Sequence, residues 1–205
     1  MHRTRTEAPE WSPGEVALLI RAARGAPVYG GGHPWVLEPH GRAVALYELP
    51  HHSFRDRLGI GRLLTCGAVL HNVHAALRAA GWRVEVLLPS DAAKPDLLAV
   101  LTAVGRQPPG DQETPGPAEL PLLVAANHWE GTLVRPVDAA DSVTLLVSTE
   151  GDSRRDVLLA GAALQAVRLK ARELGLSTTM RRGPLPGHGW ASLTVSGISE
   201  PHPAG

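Results

Sequence analysis

Capping residues and the apolar positions after them predict the first helix. Ser12 and Glu15 have the spacing of a capping box, and Pro13 stands at the first helical position. Apolar residues then recur every three or four positions, as on the buried face of a helix. Gly25 and Pro27 end this pattern, so we expect the helix to stop there.

Two longer helices are predicted at Leu63–Ala80 and Arg154–Leu174, and a glycine follows each of them. The first carries an apolar stripe spaced four, three and four residues apart, formed by Cys66, Leu70, Val73 and Leu77. A shorter helix is expected near Ala118–Trp129. Between the helices, β-rich runs and alternating patterns predict strands. These are Ala43–Glu48, Arg83–Leu88, Leu98–Val104, Thr132–Pro136, Ser142–Thr149 and Ala191–Ser196. Leu98–Val104 could also be a short helix, but Gly105 and the two prolines soon after it favour a strand.

A run of proline, glycine and polar residues at 105–117 divides the chain, because such a composition cannot pack a core. We therefore expect a flexible tail at 1–11, a first half at 12–104, this linker, and a second half at 118–205.

The two long predicted helices resemble each other. Gly67–Val73 aligns with Gly161–Val167 at an offset of 94 positions, and the same offset pairs Gly81 with Gly175. Two interpretations stay open. Any two amphipathic helices that end in glycine look alike, or the chain contains a duplicated strand–helix unit. In the second case, small residues let two central helices approach closely, and one chain imitates a two-fold dimer.

The composition excludes several classes of binding partner and cell compartment. The chain has 20 basic and 20 acidic residues, so it lacks the basic field that nucleic-acid-binding proteins use. Its one cysteine, Cys66, excludes an internal disulfide and fits a reducing compartment. The sequence shows no secretory signal, and its apolar runs are too short to span a bilayer. We expect a cytoplasmic protein that binds neither nucleic acid nor membrane. The scarcity of lysine indicates a GC-rich bacterium.

Several segments resemble one family. Ala26–Trp35 reads Ala-Pro-Val-Tyr-Gly-Gly-Gly-His-Pro-Trp. It resembles the flavin loop of nitroreductase-like proteins, which commonly reads Ala-Pro-Ser-x-x-Asn-x-Gln-Pro-Trp. Leu63–Leu70, followed by Ala79–Trp82, resembles the Acg-type branch of that family. Ala160–Leu164 through Glu173–Leu176 resembles the dimer-core helix of nitroreductases. The likeness covers most of the chain outside the tail and the linker.

The resemblance implies an α+β nitroreductase-like sandwich, an antiparallel sheet with central helices, in which one chain forms an internal pseudo-dimer. It implies FMN bound between the halves and NAD(P)H as electron donor. A nitroaromatic, a quinone or a similar small molecule would be the acceptor. A homodimer of chains stays open. Backbone N–H groups of the glycines, and His33 in place of glutamine, could contact the flavin. The cofactor-binding residues expected in the loop are Gly30, Gly31, Gly32, His33, Pro34 and Trp35.

The chain also departs from the family pattern. Val28 and Gly31 stand where the family has serine and asparagine, and the arginine-rich phosphate motif is missing. Arg181 and Arg182 could hold the phosphate instead, or they could form a solvated turn. These departures support an alternative: a non-catalytic domain, flavin-storing or flavin-free, that acts through a protein partner. The residues identify no catalytic group.

Other candidate sites are weaker. His71 and His74 have the i, i+3 spacing of a helical metal site, but no second ligand cluster completes it. We expect them to be exposed or partly buried helix residues, and no metal. Cys66 lies on the apolar stripe and is interpreted as a small core residue rather than a nucleophile.

Overall fold

The computed structural model describes residues 10–29, 32–49, 56, 58–90, 93–106, 119–139, 142–185 and 189–197. Within these residues the chain forms four helices and eight strands. The first half contains α1 (Pro13–Arg24), β1 (Trp35–His40), β2 (Ala43–Glu48), α2 (Ile60–Ala79), β3 (Trp82–Leu87) and β4 (Leu97–Arg106). The second half contains α3 (Glu119–Ala125), β5 (Thr132–Ala139), β6 (Ser142–Thr149), α4 (Arg154–Glu173), β7 (Ser177–Leu185) and β8 (Gly189–Ser196). None of the helices in this described part is long and apolar enough to cross a membrane.

The strands form two four-stranded antiparallel sheets with the same order. The first sheet runs β1-β2-β4-β3, and the second runs β5-β6-β8-β7. Helix α2 packs on the first sheet, α4 packs on the second, and the two helices pack against each other. The core therefore lies in the layers between each sheet and the central pair of helices. This is the α+β arrangement that the resemblance implied, with two antiparallel sheets where one was expected.

The central helices touch at two glycines. A Cβ atom on Gly67 would overlap the carbonyl oxygen of Leu158, and one on Gly161 would overlap the carbonyl oxygen of Leu64. Leu64 and Leu158 are 94 positions apart, as are the two glycines. The offset found in the sequence thus recurs in the contact between α2 and α4. Any side chain at either glycine would push the helices apart.

Side chains next to the first turn determine where α1 and α2 begin. In α1, Glu15 N–H donates to Ser12 Oγ at 3.3 Å, and Ser12 N–H donates to the Glu15 carboxylate at 2.9 Å. This is the predicted capping box. Helix α2 begins at Ile60, three residues before its predicted start. The carboxylate of Asp56 accepts bonds from the N–H groups of Gly61 and Arg62, at 2.9 and 2.8 Å, and so completes the first turn.

Two strands were not predicted. Among the described residues, β1, which contains Pro39, pairs only with β2, and β7, which contains Gly183 and Pro184, pairs only with β8. Edge strands tolerate proline because one side of the strand needs no ladder bond. β4 continues through Gly105 and Arg106, so these two residues belong to a strand rather than to the predicted linker. The remainder of the predicted linker lies outside the described residues.

Helix α3 is shorter than predicted. It ends at Ala125, and Asn127 then forms a turn in which its side chain bonds to the hydroxyl of Thr132 at 2.9 Å. Asparagine favours such local side-chain bonds over continuation of a helix. The turn directs Trp129 inward, where it is buried.

Candidate binding sites between the two halves

The C-terminal end of the predicted flavin loop is fixed to the first half. Pro34 is buried, and its carbonyl accepts bonds from Leu49 N–H at 2.9 Å and from the Cys66 thiol at 3.4 Å. Gly32 adopts a left-handed conformation with φ of 67°, which favours glycine. Gly30 and Gly31 lie outside the described residues.

His33 and Trp35 are neighbours beyond the glycines. His33 is exposed, and its ring meets the Trp35 ring edge-on, with centroids 6.0 Å apart. Trp35 is half-buried, and its buried indole N–H has no hydrogen-bond partner among the described residues. Neither side chain lines the two cavities described below.

The two candidate phosphate-binding arginines lie on β7, so the solvated-turn interpretation is wrong. Arg181 pairs with Ser192 of β8, and Arg182 pairs with Ala191. The Arg181 side chain is exposed, and that of Arg182 lies outside the described part of the structure. No hydrogen bond or ion pair in the described part joins Arg181 to the loop. The predicted cofactor residues are therefore not seen to converge, and their role stays a prediction.

A buried ion pair joins the two halves. Glu48, only 2% exposed at the end of β2, accepts from Arg62 Nε at 2.9 Å and from Arg154 Nη2 at 2.5 Å. Arg154 is the first residue of α4 and also donates to the carbonyl of Pro95 at 3.3 Å. A carboxylate this deeply buried is stable only when it is paired and hydrogen-bonded. The pairing also fixes the start of α4 against the first half.

Next to this ion pair lies a cavity of about 420 Å³, which we call the leucine cavity. It lies between the β3–β4 connection of the first half and the start of α4. Its apolar lining comes from Leu88, Pro89, Pro95, Leu97, Leu98 and Leu158. Its polar lining comes from Ser90, Lys94, Ser153, Arg154 and Arg155. Such a lining suits a small ligand with a flat apolar part and an anionic group.

A second cavity, of about 350 Å³, lies near the other end of α4, and we call it the arginine cavity. Gly25 and Pro27, which follow α1, form one side. The other side comes from the second half, with Gln165, Arg168, Leu169, Arg172, Leu176 and Thr178. Both cavities thus lie where residues of the two halves meet.

Comparison with known proteins identifies the fold. No family model matches the chain, and no curated protein matches it. A solved structure from Thermotoga maritima, provisionally described as a nitroreductase, is similar with a TM-score of 0.56. The match covers 94% of this chain and 88% of that one, at 15% sequence identity. The chain has a nitroreductase-like fold. At this identity the likeness shows the fold alone.

Within this fold, α2 carries a cluster of histidines that the sequence did not predict as buried. His71 and His74 are 7% and 8% exposed, and the rings of His128 and Trp129 pack against both. The Trp129 indole N–H donates to His71 Nδ1 at 3.3 Å. Burial, together with the neighbouring histidines and, at His74, Arg78, lowers the pKa of His71 to about 3 and that of His74 to about 4.

Neither metal chemistry nor a reactive thiol is supported among the described residues. These residues contain no group of His, Cys, Asp and Glu side chains that could hold a metal ion. Cys66 is buried, and burial raises the pKa of its thiol far above the ordinary value. Its contact with the Pro34 carbonyl is that of a core residue that also anchors the loop.

Proposed function

We propose that this chain is an FMN-binding oxidoreductase of the nitroreductase type, with the flavin held in the leucine cavity. One observation carries the proposal: this cavity combines an apolar wall with basic side chains and the start of a long helix. A cavity of about 420 Å³ lies within the size range typical of small-molecule sites. We also propose that the chain is a member of the Acg-type branch and a cytoplasmic protein of a bacterium.

The lining fits the two chemical parts of FMN. The leucine side chains could pack against the isoalloxazine ring, which needs an apolar surface. Lys94 and Arg155 are exposed at the cavity and could neutralise the phosphate. The start of α4 contributes a favourable dipole for an anion. Arg154 is already paired with Glu48, so its role is to hold this helix start in place.

Bound FMN would supply hydride chemistry, taking electrons from NAD(P)H and passing them to a nitroaromatic, a quinone or a similar acceptor. The chain's own part is to position and shield the ring. Leu98 and Leu158 are buried, so they would exclude water from one side of it. Because both halves line the cavity, we further propose that the chain acts as an internal pseudo-dimer.

The test is a titration with FMN and with riboflavin, followed by flavin fluorescence and visible absorption. Lys94→Glu with Arg155→Glu should weaken FMN binding at least about tenfold, because two cationic contacts to the phosphate are lost. Riboflavin, which lacks the phosphate, should be unaffected. Arg135→Glu with Arg83→Glu, at exposed positions outside the cavity, is the matched control. A wild-type protein that does not bind FMN, or a variant that binds it normally, contradicts the proposal.

A second candidate function is a non-catalytic domain that stores flavin or lacks it and acts through a protein partner. The family's serine position is occupied by Val28, which is 42% exposed and cannot hydrogen-bond through its side chain. His33 and Arg181 are exposed and outside the leucine cavity. Bleaching of bound flavin by NAD(P)H under anaerobic conditions would favour the enzyme. Bound flavin that stays oxidised would favour storage.

A further inference from the structure

Each sheet has one face that points away from the central helices. Helix α2 packs on the first sheet and α4 packs on the second, and successive residues of a strand point to opposite faces. Val44 and Leu46 of β2 are fully buried towards the helices, as are Leu145 and Val147 of β6. The alternate residues of each strand form what we call the outer face of the sheet. No helix in the described part of the chain packs on either outer face.

The two outer faces carry opposite charges. On the first sheet, Glu38 of β1 and Glu85 of β3 are exposed, together with Arg83. On the second sheet, Arg135 of β5 and Arg181 of β7 are exposed. None of these five side chains has a hydrogen bond or ion pair to another described residue. Two carboxylates outnumber one guanidinium on the first outer face, whereas the charged side chains described on the second are guanidinium groups, so the two faces attract each other.

The two arginines lie in one row across the second sheet. Arg135 pairs with Leu146, and Leu146 pairs with Ser192. Ser192 in turn pairs with Arg181. The Cα atoms of the arginines are therefore three strand spacings apart, or about 14 Å.

The two glutamates are spaced almost equally across the first sheet. Glu38 pairs with Ala45, and Ala45 pairs with Val100. Val100 in turn pairs with Leu87, two residues after Glu85. The Cα atoms of the glutamates are therefore three strand spacings and one two-residue step apart, or about 16 Å. An arginine side chain is long enough to absorb the difference, so both ion pairs can form at once.

Exposed apolar side chains flank these charges. Leu87, two residues from Glu85, is 64% exposed. Leu133 and Val137 stand two residues to either side of Arg135 and are 57% and 44% exposed. If β3 of one molecule lies over β5 of another, the three apolar side chains meet around one ion pair and lose contact with water.

We propose that the outer face of the first sheet binds the outer face of the second sheet in another copy of this chain. Strand β3 would lie over β5 and β1 over β7, with Glu85 paired to Arg135 and Glu38 paired to Arg181. Both outer faces point away from the central helices, so one molecule cannot join its own faces, and the contact repeats from head to tail. This inference goes beyond the proposed oxidoreductase function and does not depend on it.

The size of the contact predicts weak association. A face of four strands is about 19 Å wide and about 20 Å long, so two of them bury on the order of 1,000 Å² in total. That area is at the lower limit for specific interfaces. Ion pairs at the rim are also screened by salt. We therefore expect oligomers whose mass rises with protein concentration and falls with ionic strength.

The experiment is sedimentation velocity of the full chain at low salt, over a concentration series that reaches about 1 mM. Glu38→Arg with Glu85→Arg should weaken self-association at least about tenfold, because like charges then face each other. Arg135→Glu with Arg181→Glu should weaken it equally for the same reason. An equal mixture of the two variants should associate again, because each contact between them joins opposite charges.

The matched control is Glu130→Arg with Glu173→Arg, which makes the first charge change at exposed positions outside both outer faces and should associate like the wild type. A wild type that stays monomeric throughout the series overturns the inference, as does either charge-reversed variant that associates normally. Dimers that persist in the Arg135 and Arg181 variant would mean that the first sheet pairs with itself. A mixture that stays monomeric would mean that the charges of the two faces do not meet.

Discussion

The Cα atom of Gly161 lies 2.9 Å from the position that a Cβ atom on Gly67 would occupy. The two glycines therefore let the backbones of α2 and α4 pack directly against each other. The same offset relates Leu64 to Leu158, whose carbonyl groups occupy the remaining space. The helix contact is thus made twice, by equivalent residues of the two halves.

The first prediction concerns this contact. Gly67→Ala should lower the free energy of unfolding by about 3 kcal/mol or more, since backbone atoms cannot move aside as a flexible side chain could. Urea denaturation followed by circular dichroism measures the change. Gly14→Ala is the matched control, because Gly14 is also helical but nothing lies within 4 Å of its added Cβ. That variant should be unchanged or more stable by up to about 1 kcal/mol. Equal stability of both variants would contradict the close helix contact.

The second prediction concerns Glu48. Glu48→Gln should lower the free energy of unfolding by about 3 kcal/mol, because the largely buried guanidinium of Arg62 loses its carboxylate at 2.9 Å and keeps, among the described residues, only that of Asp56 at 3.9 Å. Arg154→Gln should cost less, because Arg154 is 54% exposed and Glu48 keeps Arg62. Denaturant titrations at neutral pH compare both with Glu38→Gln, at an exposed position on β1. If Glu48→Gln were as stable as Glu38→Gln, the buried ion pair would not stabilise the fold.

The elements that could be predicted from the sequence are those whose own residues mark both their type and their ends. β2 and β6 begin and end where the β-rich runs do, and α4 begins after Ser153, which forms a capping box with Asp156. β1 and β7 lack such signals, since proline interrupts both. They are strands because β2 and β8, which follow them directly in the chain, pair with them, although their own residues carry no strand pattern.

The candidate sites, in contrast, depend on contacts between residues that are distant in the sequence. The spacing of His71 and His74 was visible in the sequence, but their burial depends on Trp129, 58 positions later. The arginine cavity depends on Gly25 reaching α4 of the other half. Nothing in the spacing of Arg168 and Arg172 indicates that contact. The sequence shows which residue types could form a site. Which of them lie close together depends on how the two halves pack against each other.

The last prediction is a loss of stability in mild acid. His71 and His74 have pKa values of about 3 and about 4 when folded, below the ordinary 6.5 of the unfolded chain. Below pH 6.5 the unfolded state therefore binds protons that the folded state does not. The free energy of unfolding should fall as the pH falls from 6.5 towards 4, by about 2 kcal/mol for each histidine at pH 5. Above pH 6.5 this contribution to stability is fully present.

Denaturant titrations between pH 5 and pH 8 measure this slope in wild type and in His74→Leu, which keeps an apolar group against Trp129. The variant should have about half the slope of the wild type, because one of two histidines no longer takes up a proton on unfolding. His40→Gln, at an exposed position on β1, should leave the slope unchanged. An unaltered slope in His74→Leu would mean that His74 is not held neutral in the folded protein, and the packing of His128 and Trp129 around it would then be wrong.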